Sequence, residues 1–207
     1  YEDKEFNDYE YIDRWILENF KEVEKSFIKY LDDYEMGLAL NTLEKFFWNF
    51  CDNYIEIVKH RLYRPEEFGS IPRYSGQKTV YTILYKLLQD FSIFFPFITE
   101  EIFQELYHTK KSIHLTEMKS LDFNFKDEMK YGDEIIDIIS AVRGEKTNNN
   151  TSLKTPVKNL NLNASKDWMS AINESIKDFK ATLFIENLDI KEKETGFEIT
   201  NIELDLS

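Results

Sequence analysis

Apolar residues recur at steps of three and four through the first half of the chain, and this spacing constrains the fold more than any other feature. From Tyr11 to Leu31 it places one apolar stripe along a helix of about five turns. A second stripe predicts a helix that begins after a capping-box-like pair, Asp32 and Glu35, and continues to Leu62. Only 6 glycines and 4 prolines occur in 207 residues. Long helices are therefore favoured over a turn-rich all-β fold.

The next segment combines turn residues with two further helical patterns. Residues 64–76 hold two prolines and two glycines, which predicts a loop. A third helix follows over residues 80–91. Pro96 should stop or kink it, and Thr99 offers an N-cap for a shorter fourth helix. Four helices with mostly short connections predict an antiparallel helix bundle over residues 11–120, preceded by an irregular lead-in over residues 1–10.

The last third of the chain has a mixed pattern. Helical spacing occupies residues 127–145 and 165–179, and alternating apolar residues predict strands near 159–163 and 197–206. Parity in the last strand breaks near Thr200, where a bulge or turn is expected. The predicted fold class is thus mainly α: an antiparallel helix bundle followed by a small α+β unit over residues 121–207.

The stripes also predict which side chains form the core of the bundle. Each of the following residues lies on a stripe of helical period, and each is expected to be buried: Trp15, Phe47, Tyr54, Leu84 and Leu87.

Charge and cysteine content bound the environment of the chain. There are 39 acidic and 26 basic residues, which gives a formal net charge of −13. The longest run without a charged residue, Phe91 to Thr99, spans nine residues, about half of the ~18 that a membrane span needs. Cys51 is the one cysteine, so no internal disulfide can form, and a reducing, cytoplasmic location is expected. The chain opens with Tyr1, which suggests a piece of a longer protein.

Motifs for catalysis or metal binding are missing from the sequence. There is no glycine-rich phosphate loop, Cys-X-X-Cys, His-Glu-X-X-His or Gly-X-Ser-X-Gly. The three histidines, His60, His108 and His114, are scattered, and Cys51 lies on an apolar stripe as a buried thiol would. The sequence therefore predicts no catalytic residue and no metal ligand.

One segment of this acidic chain is locally basic. Residues 59–78 carry five lysines and arginines against two glutamates, and Tyr63 and Tyr74 are interleaved with them. Such a segment could hold a phosphate backbone and stack a base. Alternatively, Lys59 and Arg61 only favour a helix C-terminus, which composition alone makes the simpler interpretation. The charges of Arg61, Arg64 and Arg73 have no predicted structural partner.

Several motifs occur in the order found in one known family. Residues 13–17 (DRWIL), 47–56 (FWNFCDNYIE) and 59–63 (KHRLY) resemble the anticodon-binding bundle of valyl-tRNA synthetases. Residues 96–103 (PFITEEIF) and 112–115 (SIHL) are similar to later motifs of that bundle. Isoleucyl enzymes share the Lys-X-Arg-Leu-Tyr element but usually lack the Cys-Asp pair. The segments 141–143, 153–156 and 180–182 resemble the α+β segment that follows the bundle.

The resemblance implies a function that composition does not. The partner would be the anticodon stem-loop of tRNA(Val), with no DNA or membrane partner. ATP and Mg²⁺ would act in a catalytic domain upstream, since the class I signatures His-Ile-Gly-His and Lys-Met-Ser-Lys-Ser are missing here. The Asn…Arg-Phe element that usually opens the family's bundle is not found in residues 1–10.

The same region of an isoleucyl enzyme and a helical protein-interaction module without RNA remain as alternatives. The expected RNA-binding residues are Arg14, Lys59, Arg61, Tyr63, Arg64, Arg73 and Tyr74.

Overall fold

A computed structural model describes residues 6–108 and 111–206 of the chain. Residues 1–5 of the predicted lead-in lie outside this part. Long helices dominate, and they are followed by a small mixed sheet, so the predicted fold class is confirmed. The helices are α1 Tyr11–Asp32, α2 Met36–Asn49, α3 Ile55–Tyr63, α4 Pro65–Phe68, α5 Ser70–Phe91, α6 Pro96–Tyr107, α7 Lys126–Asn148, α8 Lys166–Glu174 and α9 Ile176–Leu183.

The predicted second helix contains a π-helical turn. Helical backbone runs from α2 through the π-helix Phe50–Tyr54 into α3. A π-turn inserts one residue into the helical phase, which a pattern of three- and four-residue steps does not distinguish. The predicted capping box is wrong: Glu35 is the N-cap of α2 without a side-chain cap, and Tyr34 before it has a positive φ of 59°.

The prediction of a loop over residues 64–76 is also wrong. Pro65 is the first residue of α4, and Pro72 lies in the first turn of α5. The first turn of a helix tolerates proline because its amide groups have no intrahelical acceptor. Gly69, with φ 98°, supplies the break between the two helices.

The fourth predicted helix begins earlier than expected. Pro96 is the first residue of α6, and Phe95 takes the N-cap position predicted for Thr99. The hydroxyl of Thr99 instead donates to the Phe95 carbonyl oxygen at 2.8 Å. Proline therefore starts this helix, after α5 has already ended at Phe91.

Glu100 links α6 to the segment that follows it. One carboxylate oxygen accepts hydrogen bonds from the Ser112 hydroxyl and the Ile113 amide, both at 2.9 Å. The hydrogen bond from the Ile113 amide lowers the pKa of Glu100, and those from Gln104 and Ser112 add to this effect. Together they outweigh desolvation, which raises the pKa. These contacts hold the 3₁₀ turn Ile113–Leu115 against the helix. Glu100 therefore anchors this turn to α6.

The C-terminal sheet has three strands in the order β2-β1-β3. They are β1 Val157–Ala164, β2 Ile185–Glu192 and β3 Phe197–Leu204. β1 pairs with β2 in parallel and with β3 antiparallel, and α8 and α9 lie between β1 and β2 in the chain. The predicted bulge is confirmed: Asn161 pairs with Asn201 and Leu162 with Ile199, so Thr200 has no paired residue on β1. β2 was not predicted, because charged residues interrupt its short run of apolar residues.

The bundle and the sheet share one core. α7 packs on α1, and α9 packs on α3. The largest buried cluster includes Ile16 of α1, Ile139 of α7, Leu160 of β1 and Trp168 of α8. The domain boundary near residue 120 stays a prediction, but the apolar core continues across it.

Three of the five predicted core residues are confirmed. Trp15, Tyr54 and Leu87 are at most 2% exposed. Phe47 and Leu84 are only half-buried, so their assignment to the centre of the core is wrong. The buried positions are instead Phe46 and Ile83, one residue earlier in each helix.

Candidate nucleic-acid interface

The residues predicted to bind RNA lie at one end of the bundle, where α1 and α5 begin and α3 ends. Helix α9 packs against α3 at the same end. The structure thus brings them into one region, but it gives them different surroundings. They are Arg14, Lys59, Arg61, Tyr63, Arg64, Arg73 and Tyr74.

Arg61 is fully buried, which corrects the expectation that its charge has no structural partner. Its Nη2 donates to Oδ1 of Asp13, and its Nε lies 3.5 Å from Oδ2 of Asp178. Nη1 donates to the carbonyl oxygen of Pro72 at 3.3 Å. The guanidinium therefore joins α1, α3, α5 and α9 and faces away from solvent.

Asp13 is the centre of this buried network. Its Oδ1 also accepts a hydrogen bond of 2.6 Å from the Tyr54 hydroxyl, and its Oδ2 accepts one from the hydroxyl of Ser75. Burial, followed by the charge of Asp13, raises the pKa of Tyr54 well above its ordinary value. We call Asp13, Tyr54, Arg61, Ser75 and Asp178 the Arg61 network.

Two carboxyl groups share the single guanidinium of the network. Burial raises the pKa of Asp178 to about 7, although the charge of Arg61 acts in the opposite direction. Burial alone would lower the pKa of Arg61, but Asp13, Asp178 and Tyr54 together raise it above its ordinary value. Arg61 therefore stays charged. Withdrawing it towards an RNA phosphate would leave Asp13 buried without its counter-charge.

Other predicted residues are accessible at this end. Tyr63 is 83% exposed, and the exposed side chain of Arg73 makes no hydrogen bond or ion pair with any described residue. Lys59 pairs with Glu56, and Arg64 pairs with Glu67 at 2.9 Å, each within one helical turn. Surface pairs of this kind contribute little to stability. The two cations can exchange their carboxylates for phosphates at small cost.

Arg14 and Tyr74 are half-buried and already engaged. Arg14 donates to Oε2 of Glu174 at 2.6 Å and to the Tyr9 carbonyl oxygen at 2.8 Å. The ring of Tyr74 meets that of Phe6 edge-on, with centroids 5.0 Å apart. Arg14 thereby ties α1 to α8, and Tyr74 covers residues that precede α1.

Two further lysines lie at this end of the molecule and were not predicted to bind RNA. Lys177 and Lys180 of α9 line a groove together with Arg64. Because they are three residues apart, a helical pattern in this segment already places both lysines on one face of the helix. Their approach to Arg64 depends on the packing of α9 on α3, which local periodicity does not report.

The histidines and the cysteine occupy separate environments. Residues 6–108 and 111–206 contain no group of three or more His, Cys, Asp or Glu arranged to hold a metal ion. His60 Nδ1 lies 2.8 Å from Nη2 of Arg64, and burial followed by Arg64 lowers the pKa of this histidine. Cys51 is half-buried in the π-turn, where burial, followed by Asp52, raises the pKa of its thiol. In the described part of the chain, no helix combines the length and apolar character needed to cross a bilayer.

Comparison with known proteins assigns the class of this bundle. The family model described as the anticodon-binding domain of tRNA ligase matches residues 13–162, most of the chain. The chain therefore belongs to the anticodon-binding domain family of tRNA ligases. The match covers the bundle, α7 and most of β1.

Several relatives of this chain are named valine–tRNA ligase. The chain is 35% identical over 169 residues to the valine–tRNA ligase of Rickettsia felis, covering 80% of this chain and 19% of that protein. It is 33% identical over 195 residues to the enzyme of Rickettsia prowazekii and 32% identical over 199 residues to that of Picrophilus torridus. These two matches cover 93% and 94% of this chain and 23% of each relative. The chain thus spans about a fifth of the length of these relatives.

Proposed function

We propose that the chain is the anticodon-binding region of a valine–tRNA ligase and that it binds the anticodon stem-loop of tRNA(Val). The observation that carries the proposal is the family match over residues 13–162, in a chain whose relatives above are named valine–tRNA ligase. The accessible basic and aromatic side chains at one end of an otherwise acidic bundle support it.

The chemistry of the parent enzyme would take place outside this chain. An upstream catalytic domain in the cytoplasmic parent would join valine to tRNA(Val) with ATP and Mg²⁺. The bundle would hold the anticodon end, so that the acceptor end is oriented before the reaction, which lowers its entropic barrier. The chain alone is expected to show no valine-dependent ATP–pyrophosphate exchange, because it carries neither class I signature.

The predicted RNA-binding residues divide by their surroundings. Lys59, Arg64 and Arg73 contact phosphates in this proposal, and Tyr63 stacks on an unpaired base. Arg14 and Tyr74 lie at the edge of this surface, and the exposed parts of their side chains contact RNA. Arg61 acts indirectly, since it holds together the helices that present the others.

Titration of the full-length protein with tRNA tests the proposal. Binding of tRNA(Val), tRNA(Ile) and a third, unrelated tRNA is measured by filter retention across a series of KCl concentrations. Preference for tRNA(Val), lost when its anticodon is replaced, is the expected result. A preference for tRNA(Ile) would show that the chain belongs to an isoleucyl enzyme instead. Equal retention of all three tRNAs would refute anticodon recognition.

A second candidate function, protein binding, is favoured by the opposite end of the bundle. Apolar side chains are exposed where α2 and α6 begin, among them Tyr34 at 89% and Phe97 at 90%. Phe94, in the turn before α6, packs against the cluster that joins α1 and α2, with its ring centroid 6.3 Å from that of Phe27. A protein-interaction module without RNA affinity would retain none of the three tRNAs in the same titration.

A further inference from the structure

The groove beside α9 collects cations from two parts of the fold. It has a volume of about 390 Å³ and lies between the end of α3 and the exposed side of α9. Arg64 stands on one side, and Lys177 and Lys180 stand on the other. Residues three apart on a helix project to the same side, so both lysines flank one opening.

The two lysines differ in their surroundings. Lys177 also lines a neighbouring cavity with Glu10, Glu174 and Asp178, and its charge opposes the burial that raises the pKa of Glu10. Neither makes a hydrogen bond or ion pair with any residue in the described ranges. Glu67 is the one acidic residue in the groove lining, and its carboxylate pairs with Arg64. A chain of net charge −13 therefore holds a local surplus of two positive charges at this groove. Such a surplus raises the local concentration of anions.

A larger groove elsewhere is lined by four lysines, of which Lys78 and Lys111 make contacts of their own and the other two form ion pairs. It encloses about 700 Å³ between α5, α6 and residues 116–122. Lys86 in its lining pairs with buried Glu24 at 2.5 Å, and Lys119 pairs with Glu117 at 3.2 Å. The smaller groove is thus the better anion site, because neither Lys177 nor Lys180 is held in a described ion pair, unlike Lys86 and Lys119.

Aromatic side chains line the same groove. Phe68 is nearly buried, and Phe184 is half-buried with its ring edge-on to His60, centroids 5.8 Å apart. Phe184 has a left-handed backbone with φ 58°, a conformation unfavourable for a bulky residue. The groove therefore combines a cationic rim with apolar surface, which suits a ribose–phosphate backbone better than a free ion.

We propose that Lys177 and Lys180 bind phosphodiester groups of tRNA, so that α9 extends the RNA-binding surface from Arg64 onto the α+β unit. This inference rests on the proposed function. It adds that phosphates of one RNA strand are held by both the bundle and the unit beyond it.

The test measures the salt dependence of tRNA binding. Full-length protein carrying the double substitution Lys177→Gln and Lys180→Gln is titrated with tRNA(Val) at several KCl concentrations. The expected loss of affinity is on the order of tenfold at low salt. The slope of log K against log[KCl] should become shallower by nearly two units, about 0.9 for each lost phosphate contact. Lys177→Arg with Lys180→Arg should restore the wild-type slope.

A matched control separates local from general charge effects. Lys191 is exposed on β2, without a described hydrogen bond or ion pair, about 20 Å along the strand from Ile185 at the groove. Lys191→Gln should leave affinity and slope unchanged. Wild-type binding of tRNA(Val) with an unaltered slope in the double variant would overturn the groove assignment and leave the proposed function intact. Failure of the wild-type protein to prefer tRNA(Val) would instead overturn both.

Discussion

The indole nitrogen of Trp15 on α1 donates a hydrogen bond of 3.0 Å to Oδ1 of Asp133 on α7. Gly132 precedes Asp133, and a methyl group built at Gly132 would overlap the indole ring. α7 can approach the bundle this closely only because no side chain stands there. The contact is one of the places where the helix bundle packs closely against the following part of the chain.

Substitution of the two glycines of α7 should therefore have opposite effects. Alanine is favoured over glycine in a helix by about 1 kcal/mol, and nothing lies within 4 Å of a methyl group at Gly144. Gly144→Ala should raise the free energy of unfolding by about that amount. Gly132→Ala should lower it by about 1–3 kcal/mol, because the buried ring of Trp15 must move. Urea denaturation of both variants measures the difference, and equal shifts would contradict the close approach of α7.

Arg61 should be required for folding as well as for any effect on RNA. Removing one partner of a buried ion pair costs about 3–5 kcal/mol, since the other charge stays buried without compensation. Arg61→Met should destabilise the chain by this amount, whereas Arg73→Met at an exposed position should change stability by less than about 0.5 kcal/mol. Similar denaturation midpoints for the two variants would show that the Arg61 network does not hold the helices together.

The neighbouring phenylalanines of α2 provide a test of the helical phase. Phe46 is 3% exposed and packs its ring on Phe20, with centroids 4.9 Å apart. Phe47 is half-buried and packs edge-on against Trp48 and Phe91. Phe46→Ala should cost about 3–5 kcal/mol and Phe47→Ala clearly less, as judged by urea midpoints. The reverse order would support the phase predicted from sequence.

The sequence predicted the helices well because their apolar stripes are a local property. It misjudged Pro65 and Pro72 because proline is a breaker inside a helix and acceptable in the first turn. The distinction depends on where the helix begins. The π-turn at Phe50–Tyr54 lay within a continuous helical pattern and left no separate signal. β2 was missed because charged residues interrupt its apolar positions.

The candidate interface was less predictable, since an arginine looks the same in sequence whether it is buried or exposed. Arg61 and Arg64 are three residues apart, yet one enters the core and the other faces a groove. The residues that decide are Asp13 on α1, which accepts a hydrogen bond from Arg61, and Asp178, which lies near it when α9 packs on α3. Both are distant from Arg61 in the chain. Only the tertiary arrangement distinguishes the two arginines.

Asp90 occupies an unusual position for a carboxylate. It is fully buried on α5, and neither carboxylate oxygen has a hydrogen-bond partner among the described residues. Buried Glu24 and Lys86 face each other nearby with an ion pair of 2.5 Å. Burial, followed by repulsion from Glu24, raises the pKa of Asp90 to about 7, and attraction to Lys86 offsets only part of this.

This raised pKa predicts a specific dependence of stability on pH. Between about pH 4 and pH 7 the folded chain holds a proton on Asp90 that the unfolded chain has released, so stability falls as the pH rises through this window. Asp90→Asn is neutral at every pH and should remove this contribution. Relative to the unsubstituted chain, the variant should gain about 2 kcal/mol in free energy of unfolding between pH 5 and pH 8. Asp189→Asn, an exposed carboxylate on β2, controls for the loss of one negative charge from an acidic chain. Urea denaturation at both pH values measures the gain, and parallel pH profiles for Asp90→Asn and the unsubstituted chain would mean that Asp90 is ionised in the folded state.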